Sequence, residues 1–222
     1  MKTVLITGVG KGIGKALKEK FLDEGYFVIG TFFTGRPDPQ EHLKDFSLDL
    51  SNPASIASCA TAITNFGRNI DILINCAGVL KDEDETSVVA DKLRETLEVN
   101  LIGTIDFTQR LLPIMQDKGH IVNISSTAGS LMLTGKHASH LEGRYPAYKI
   151  SKAALNMYTV TLAKQLDGQV TVSSVHPGWV KTDMGGEDAD LTPEQSAEGI
   201  YNVAVSRPPT GGFWFAGESV PW

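Results

Sequence analysis

The chain has 222 residues and a formal net charge of −6, and 41% of its residues are hydrophobic. This length allows one or two domains with a well-buried core, and the composition excludes a disordered chain. The mild acidity argues against a nucleic-acid or anionic-membrane partner, because those surfaces need clustered basic charge.

Short apolar segments alternate with longer helical patterns along the whole sequence. Strands are predicted over residues 3–7, 27–33, 45–50, 70–75, 120–125, 170–175 and 213–215, and helices over 12–24, 53–66, 90–115, 146–166 and 192–205. Nearly continuous apolar strands that alternate with helices are typical of a parallel sheet covered on both faces. The pattern therefore predicts one α/β domain over residues 1–222, with a Rossmann-type doubly wound and mostly parallel sheet of about seven strands.

A glycine-rich turn joins the first predicted strand to the first predicted helix. Gly8, Gly12 and Gly14 follow the spacing G-x-x-x-G-x-G. The free N–H groups and the positive dipole end of a helix N-terminus bind phosphate, and glycines let the backbone approach it. Structural turns also collect glycine, but the strand–turn–helix context favours a dinucleotide site.

The end of the second predicted strand bears on which dinucleotide is bound. An acidic residue there would bind the ribose 2′-hydroxyl of NAD, but the stretch from Thr31 to Arg36 has no carboxylate. Arg36 and Lys11, inside the glycine turn, suit the additional phosphate of NADP. We therefore predict NADP(H) as the preferred cofactor. NAD(H) stays possible if Arg36 points to solvent and Lys11 binds nothing.

Tyr148 and Lys152 form the strongest candidate for chemistry. They stand at i and i+4 of a predicted helix and so share a face. A nearby ammonium favours the phenolate, so we expect Lys152 to lower the pKa of Tyr148 and suit it to proton transfer. Tyr145 and Lys149 have the same spacing, but Tyr145 precedes Pro146, which disfavours a helical conformation for it.

Small polar residues follow three of the predicted strands. They are Ser125 and Ser126, Asn75–Gly78 and His176–Gly178. The carboxyl ends of parallel strands are where such sheets bind ligands. A hydroxyl at Ser126 could hold a substrate oxygen, although a serine-rich turn is the competing interpretation.

Taken in chain order, these motifs resemble those of the short-chain dehydrogenase/reductases over nearly the whole sequence. The matching pieces are Thr7-Gly8-x-x-x-Gly12-Ile13-Gly14, Asp49, Asn75-Cys76-Ala77-Gly78, Asn100, Ser126, Tyr148-x-x-Ser151-Lys152 and Pro177-Gly178-x-x-x-Thr182. The segment from His176 to Gly186 and the ending Gly217–Trp222 look more narrowly like the C-factor-like and sniffer-like carbonyl reductases.

The resemblance implies roles for a catalytic set. Tyr148 would be the general acid/base, and Lys152 would lower its pKa and hold the nicotinamide ribose. Ser126 would orient the reacting oxygen, and Asn100 would support a water-linked proton path behind Lys152.

The resemblance also implies a cofactor-binding set, to which the charge argument adds Arg36. The set is Gly8, Lys11, Gly12, Ile13, Gly14, Arg36, Asp49, Leu50, Asn75, Ala77, Gly78, Tyr148, Lys152, Pro177, Gly178, Val180 and Thr182. Within it, Asp49 would contact the adenine, and Asn75, Ala77 and Gly78 would line the adenine ribose. The nicotinamide side would be held by Pro177, Gly178, Val180 and Thr182.

The chain departs from the family pattern in three places. Cys76 stands where the family usually has Asn, which softens the wall beside the adenine ribose. Ser126 and Tyr148 are further apart than usual, which implies a polar insertion, Gly135–Arg144, at the substrate mouth. The segment after Thr182 is short, so we expect a small substrate lid.

Several features are expected to carry no chemistry. The histidines 137, 140 and 176 lack a further strong ligand nearby, so we predict no metal site. The acidic run Asp82–Glu85 lacks the glycine and terminal Glu of a calcium loop and is interpreted as solvated. Cys59 and Cys76 are predicted to be buried free thiols. With no signal pattern and no membrane-length apolar run, a cytoplasmic protein is expected.

The leading hypothesis is an NADP(H)-dependent oxidoreductase that acts on a small carbonyl or alcohol substrate, with reduction as the favoured direction. A dinucleotide-binding signalling or scaffold protein with little turnover is the alternative. An epimerase or dehydratase is disfavoured, because the chain is too short for an added substrate domain. As the family implies, a homo-oligomer (dimer or tetramer) paired through the helices 90–115 and 146–166 is expected.

Overall fold

A computed structural model describes residues 1–134 and 144–222. The strands are β1 (Thr3–Thr7), β2 (Phe27–Phe32), β3 (Leu43–Ser47), β4 (Ile70–Asn75), β5 (Met115–Ile124), β6 (Thr171–Val175), β7 (Gly212–Phe215) and β8 (Glu218–Ser219). The α-helices are α1 (Gly12–Asp23), α2 (Pro53–Phe66), α3 (Ala90–Leu97), α4 (Thr104–Leu111), α5 (Pro146–Gln165) and α6 (Pro193–Ser206). Most of the inserted stretch, residues 135–143, lies outside the described part, and with it the prediction that it rims the substrate mouth.

The strands form one eight-stranded sheet in the order β3-β2-β1-β4-β5-β6-β7-β8. Every neighbouring pair is parallel except β7 with β8. This confirms the doubly wound sheet, and its order reverses between β1 and β4, where such sheets bind ligands. The sequence missed only β8, whose two residues are too few to show a pattern.

Apolar side chains alternate between two cores, one on each face of the sheet. On one face, Leu5 and Leu73 pack with the helices α2, α4 and α5. On the other face, Val4 and Ile6 pack with α1 and α6. Successive strand residues point to opposite faces, so β1 contributes to both cores, and this explains its continuous apolar sequence.

The helix predicted over residues 90–115 is interrupted by a π-helical segment, Glu98–Gly103, between α3 and α4. A Cβ added at Gly103 would stand 1.9 Å from the carbonyl oxygen of Leu50, so the helix touches the loop after β3 at this point. The helix also ends early, because β5 begins at Met115. The contact with Leu50 is long-range and leaves no periodicity in the sequence.

A buried polar network crosses the sheet beneath α5. The Asn75 amide donates to Thr108 Oγ1 at 2.9 Å and to Asn123 Oδ1 at 2.8 Å. The Asn123 amide in turn donates to Thr159 Oγ1 at 2.9 Å, and Thr159 lies 2.9 Å from Ser174 Oγ. The network therefore joins β4, β5 and β6 to the two helices that cover them.

Candidate functional site

The glycine turn forms one end of a cavity of about 980 Å³ along the carboxyl edge of the sheet. Gly8 and Gly12 have φ angles of +80° and +53°, a region that favours glycine. A Cβ at Gly14 would stand 2.2 Å from the Gly8 carbonyl oxygen, so only glycine lets the loop close on itself. The first turn of α1, which contains no acidic residue, faces this cavity.

Many of the residues predicted for the site line this cavity. They are Gly8, Lys11, Gly12, Ile13, Gly14, Asp49, Leu50, Ala77, Gly78, Tyr148, Lys152, Pro177 and Thr182. The remaining predicted residues, Arg36, Asn75, Asn100, Ser126, Gly178 and Val180, lie outside the described lining.

Asn75 and Val180 face the protein interior. The side chain of Asn75 is 4% exposed and belongs to the polar network described above, so it supports the sheet from below instead of lining the cavity. Val180 is also 4% exposed and forms a β-bridge with Leu191. That bridge folds the short segment after β6 back on itself, with Gly178 at a φ of +86°.

The two cations predicted to bind an additional phosphate each contact a carboxylate. Lys11 Nζ lies 2.6 Å from Asp183 Oδ2, and both side chains are largely exposed. Arg36 Nε lies 2.8 Å from Asp45 Oδ2, on the neighbouring strand β3. The stretch from Thr31 to Arg36 has no acid, but the register of the sheet supplies Asp45, nine residues after Arg36. Only Lys11 of the two lines the cavity.

At the other end of the cavity, α5 places Tyr148 and Lys152 on one face. The Tyr148 side chain is hydrogen-bonded to that of Ser126, which follows β5. The Lys152 amine lies 5.5 Å from the centre of the Tyr148 ring and donates to the Ile124 carbonyl oxygen at 2.8 Å. The backbone of Tyr145 is in the left-handed region, with a φ of +59°. The competing pair, Tyr145 and Lys149, therefore does not share a helix face.

Burial dominates the acid–base properties of this pair. Loss of solvent raises the pKa of Tyr148 to about 12, and the hydrogen bond from Ser126 opposes the shift. Loss of solvent also lowers the pKa of Lys152 to about 8. The pKa of Tyr148 is thus raised overall, and the effect of Lys152 on it stays a prediction. The Lys152 amine is directed to the Ile124 carbonyl oxygen, and loss of solvent is the largest cause of the shift at Tyr148.

Asn100 lies in the π-helical segment behind Lys152. Its Oδ1 accepts from the Val79 N–H at 2.7 Å, and its amide donates to the Val79 carbonyl oxygen at 2.9 Å and to Ser151 Oγ at 3.1 Å. A Cβ added at Gly78 would stand 3.3 Å from Asn100 Oδ1 and 3.6 Å from the Lys152 amine. Asn100 thus holds the loop after β4 against α5.

The cavity is also lined by Cys76, which is predicted above as a buried thiol beside the adenine ribose, and by residues for which no role is predicted. Cys76 faces it near Lys152, and burial raises the pKa of its thiol to about 12, although Lys152 opposes the shift. Its position directly after a predicted strand was the available signal. Further lining residues are Thr31, Phe32, Phe33, Thr34, Ser51, Val79, Lys81, Glu95, Glu98, Lys181, Asp183 and Met184.

Within the two described ranges, no group of three or more His, Cys, Asp and Glu side chains is arranged to hold a metal ion. Of the histidines considered for a metal, 137 and 140 lie outside the described residues. None of the helices in those ranges has an apolar stretch long enough to cross a bilayer.

Comparisons with known proteins agree with this geometry. The profile of the family described as short chain dehydrogenase matches residues 2–191. C-signal of Myxococcus xanthus is 37% identical over 166 residues, which cover 69% of this chain and 93% of that protein.

Two solved carbonyl reductases have the same fold. The NADPH-bound carbonyl reductase from chicken fatty liver has a TM-score of 0.90 and 26% identity, covering all of this chain and 94% of the other. The carbonyl reductase Sniffer of Drosophila melanogaster has a TM-score of 0.87 and 27% identity, and both chains are covered completely. These neighbours, with C-signal, support the narrower resemblance found in the sequence.

Proposed function

The chain belongs to the short-chain dehydrogenase family, and we propose that it is an NADPH-dependent reductase of small carbonyl compounds. The observation that carries this proposal is the Tyr148 side chain, which lines the end of the dinucleotide-sized cavity, is hydrogen-bonded to Ser126 and lies one helical turn from Lys152.

The glycine turn fits the pyrophosphate of a dinucleotide. A Cβ at Gly12 would stand 3.3 Å from Thr182 Cγ2, and one at Gly8 would stand 3.1 Å from Ala77 Cα, so side chains at these positions would crowd the cavity. Lys11 lies at the same end and suits an additional phosphate. Its partner Asp183 is highly exposed, so a phosphate can replace that contact at small cost.

The side chains at the other end supply the proton and hold the substrate. A bound nicotinamide provides the hydride that adds to the carbonyl carbon. Tyr148 donates its hydroxyl proton to the carbonyl oxygen, so that the product is an alcohol and the tyrosine is left as a phenolate. The Ser126 hydroxyl is placed to hold the same oxygen. Because the pKa of Tyr148 is raised to about 12, the residue is protonated at neutral pH, which suits reduction.

A direct test measures the absorbance of NADPH and of NADH with a panel of aldehydes and ketones. We expect turnover with NADPH. We also expect Tyr148→Phe to lower the rate by about 10²- to 10⁴-fold, without loss of NADPH affinity. Tyr145→Phe is the matched control, because Tyr145 lies three residues away but outside the cavity lining. Turnover with NADH alone would contradict the assignment of Lys11.

A second candidate follows from the similarity to C-signal, namely a dinucleotide-binding signalling protein with little turnover. The same variant separates the two functions. A signalling protein would keep its biological effect in Tyr148→Phe, whereas an enzyme would lose it together with turnover.

We further propose that two copies pair through the helices after β4 and before β6. Ile102, Ile150 and Met157 expose 51%, 41% and 67% of their surface on these helices. Exposed large apolar side chains on neighbouring helices are typical of an interface. Sedimentation velocity of the wild type and of Met157→Glu would show a dimer and its loss.

A further inference from the structure

The acidic run after β4 is not the solvated segment that its composition predicts. Glu83 and Asp84 are exposed, but Asp82 has only 1% of its surface exposed. A carboxylate is costly to bury unless it is well hydrogen-bonded. The position of Asp82 therefore calls for a physical reason, which its contacts supply.

Asp82 contacts the first turn of the helix that carries the proposed catalytic residues. Its Oδ2 accepts from the Ala147 N–H at 2.6 Å, in a buried hydrogen bond. Two residues earlier, the Tyr145 N–H donates to the Glu85 carbonyl oxygen at 3.2 Å. Pro146 between them has no N–H to donate. The segment Asp82–Glu85 thus satisfies the backbone donors on both sides of the proline.

The helix has no cap of its own to take this role. Tyr145 occupies the N-cap position of α5 in a left-handed conformation and makes no side-chain capping bond. Most helices are capped by a Ser, Thr, Asp or Asn at that position. Here the carboxylate comes from 65 residues earlier in the chain.

The acidic segment is itself fixed to the rest of the site. The Glu85 side chain forms an ion pair with Lys92 of α3, and the Glu85 N–H donates to the Asp82 carbonyl oxygen at 3.1 Å. Three residues before Asp82, Val79 exchanges two hydrogen bonds with Asn100 and lines the cavity. The wall of the cavity and the start of α5 are therefore connected through one short segment.

We propose that Asp82 is a positioning residue for Tyr148, whose buried carboxylate fixes the first turn of α5 and so the location of the reacting hydroxyl. Tyr148 is the residue directly after Ala147, so a shift of that N–H moves the tyrosine with it. The second carboxylate oxygen, Oδ1, has no hydrogen-bond partner among the described residues. Burying an unpartnered carboxylate oxygen costs free energy, and an exposed N-cap side chain would stabilise the helix without this cost. We take this as an indication that the carboxylate serves to place the first turn of α5.

The proposal rests on the proposed function for its kinetic test. Asp82→Ala is expected to lower kcat by about 10- to 100-fold, because small displacements of a reacting group are costly. The Kd for NADPH should change by less than about twofold, since the glycine turn is untouched. Asp82→Asn keeps an oxygen acceptor for the Ala147 N–H, so we expect it to recover most of kcat. Glu83→Gln is the matched control, with the same loss of charge in the same segment and no change expected.

Hydrogen exchange gives a second readout that does not depend on any activity. Amides of residues 144–152 should exchange faster in Asp82→Ala than in the wild type, in Asp82→Asn or in Glu83→Gln. If Asp82→Ala does not fold, Asp82→Leu fills the buried space without an acceptor and should show the same acceleration.

Three results would overturn the assignment of Asp82. The first is an unchanged kcat in the folded variant. The second is an unchanged exchange rate at the start of α5. The third is a parallel loss of NADPH affinity, kcat and melting temperature in both Asp82→Ala and Asp82→Asn, which would indicate a general structural role. A wild-type protein that reduces no carbonyl would contradict the proposed function, and the exchange measurement would still decide the role of Asp82.

Discussion

The two ends of the cavity are built in opposite ways. At the cradle end, defined here as the turn Gly8–Gly14, one continuous segment supplies the surface, and its cation Lys11 is paired in solvent. At the reaction end, defined as Ser126, Tyr148 and Lys152 with Asn100 behind them, the side chains come from separate segments and are held by buried contacts. The cradle end is thus built from local sequence, whereas the reaction end depends on long-range placement.

After Tyr148→Phe, the largest expected effect is at Lys152. Lys152→Met removes the amine that holds Ile124 and faces Tyr148, so kcat/KM for carbonyl reduction should fall by about 10²- to 10³-fold. Lys164→Met is the matched control, because Lys164 is exposed on the same helix and far from the cavity. Steady-state kinetics on both variants measures the difference. Equal losses of kcat/KM in the two variants would show that the position of Lys152 at the reaction end of the cavity does not matter.

The same substitution should change how stability depends on pH. Burial lowers the pKa of Lys152 from its usual 10.5 to about 8, so between these values the unfolded chain holds a proton that the folded chain has lost. The free energy of unfolding of the wild type should therefore rise, relative to Lys152→Met, as the pH increases from about 8 to 10.5. Tyr148 is present in both proteins, so its own titration cancels. Urea unfolding of the two proteins at several pH values measures this. If the difference between their free energies of unfolding did not change with pH, the lowered pKa of Lys152 would be contradicted.

The smallest expected effect lies at the cradle end. Lys11→Ala should weaken NADPH binding by about tenfold and leave NADH binding unchanged, because only NADPH carries the additional phosphate. The melting temperature should hardly change, since both members of the Lys11–Asp183 pair are largely exposed. Lys15→Ala is the control, because Lys15 is an exposed lysine in the first turn of α1 and lies outside the cavity lining. Fluorescence titration with both cofactors gives the ratio, and a similar loss for NADPH and NADH would remove Lys11 as the source of the preference.

The parts of this molecule that the sequence predicted are those that depend on nearby residues. The glycine turn, the sheet and the tyrosine–lysine pair each follow from spacing within a strand or a turn of helix. Thr192 and Gln195 form a capping box at the start of α6, another feature set within one helical turn.

The parts that the sequence missed depend on contacts between distant segments. Asp45 reaches Arg36 only through the register of β2 and β3. In the sequence, Asp82 is one charge of an acidic run, and only the folded chain brings its carboxylate to the Ala147 N–H. Desolvation, which raises the pKa of Tyr148, is likewise not visible in the sequence, because spacing alone does not show how much solvent a side chain loses.

The buried polar network that includes Asn75, Asn123 and Thr159 has a consequence for the evolution of this fold. A helix held on a sheet by apolar contacts alone can slide a little at low cost, whereas a slide here would leave several amides and hydroxyls unpaired in the interior. Thr159 stands two turns beyond Lys152 on α5. The polar network therefore fixes the position of the helix along its own axis. Surface loops around the cavity can consequently diverge to accept new substrates while Tyr148, the proposed proton donor, keeps its position.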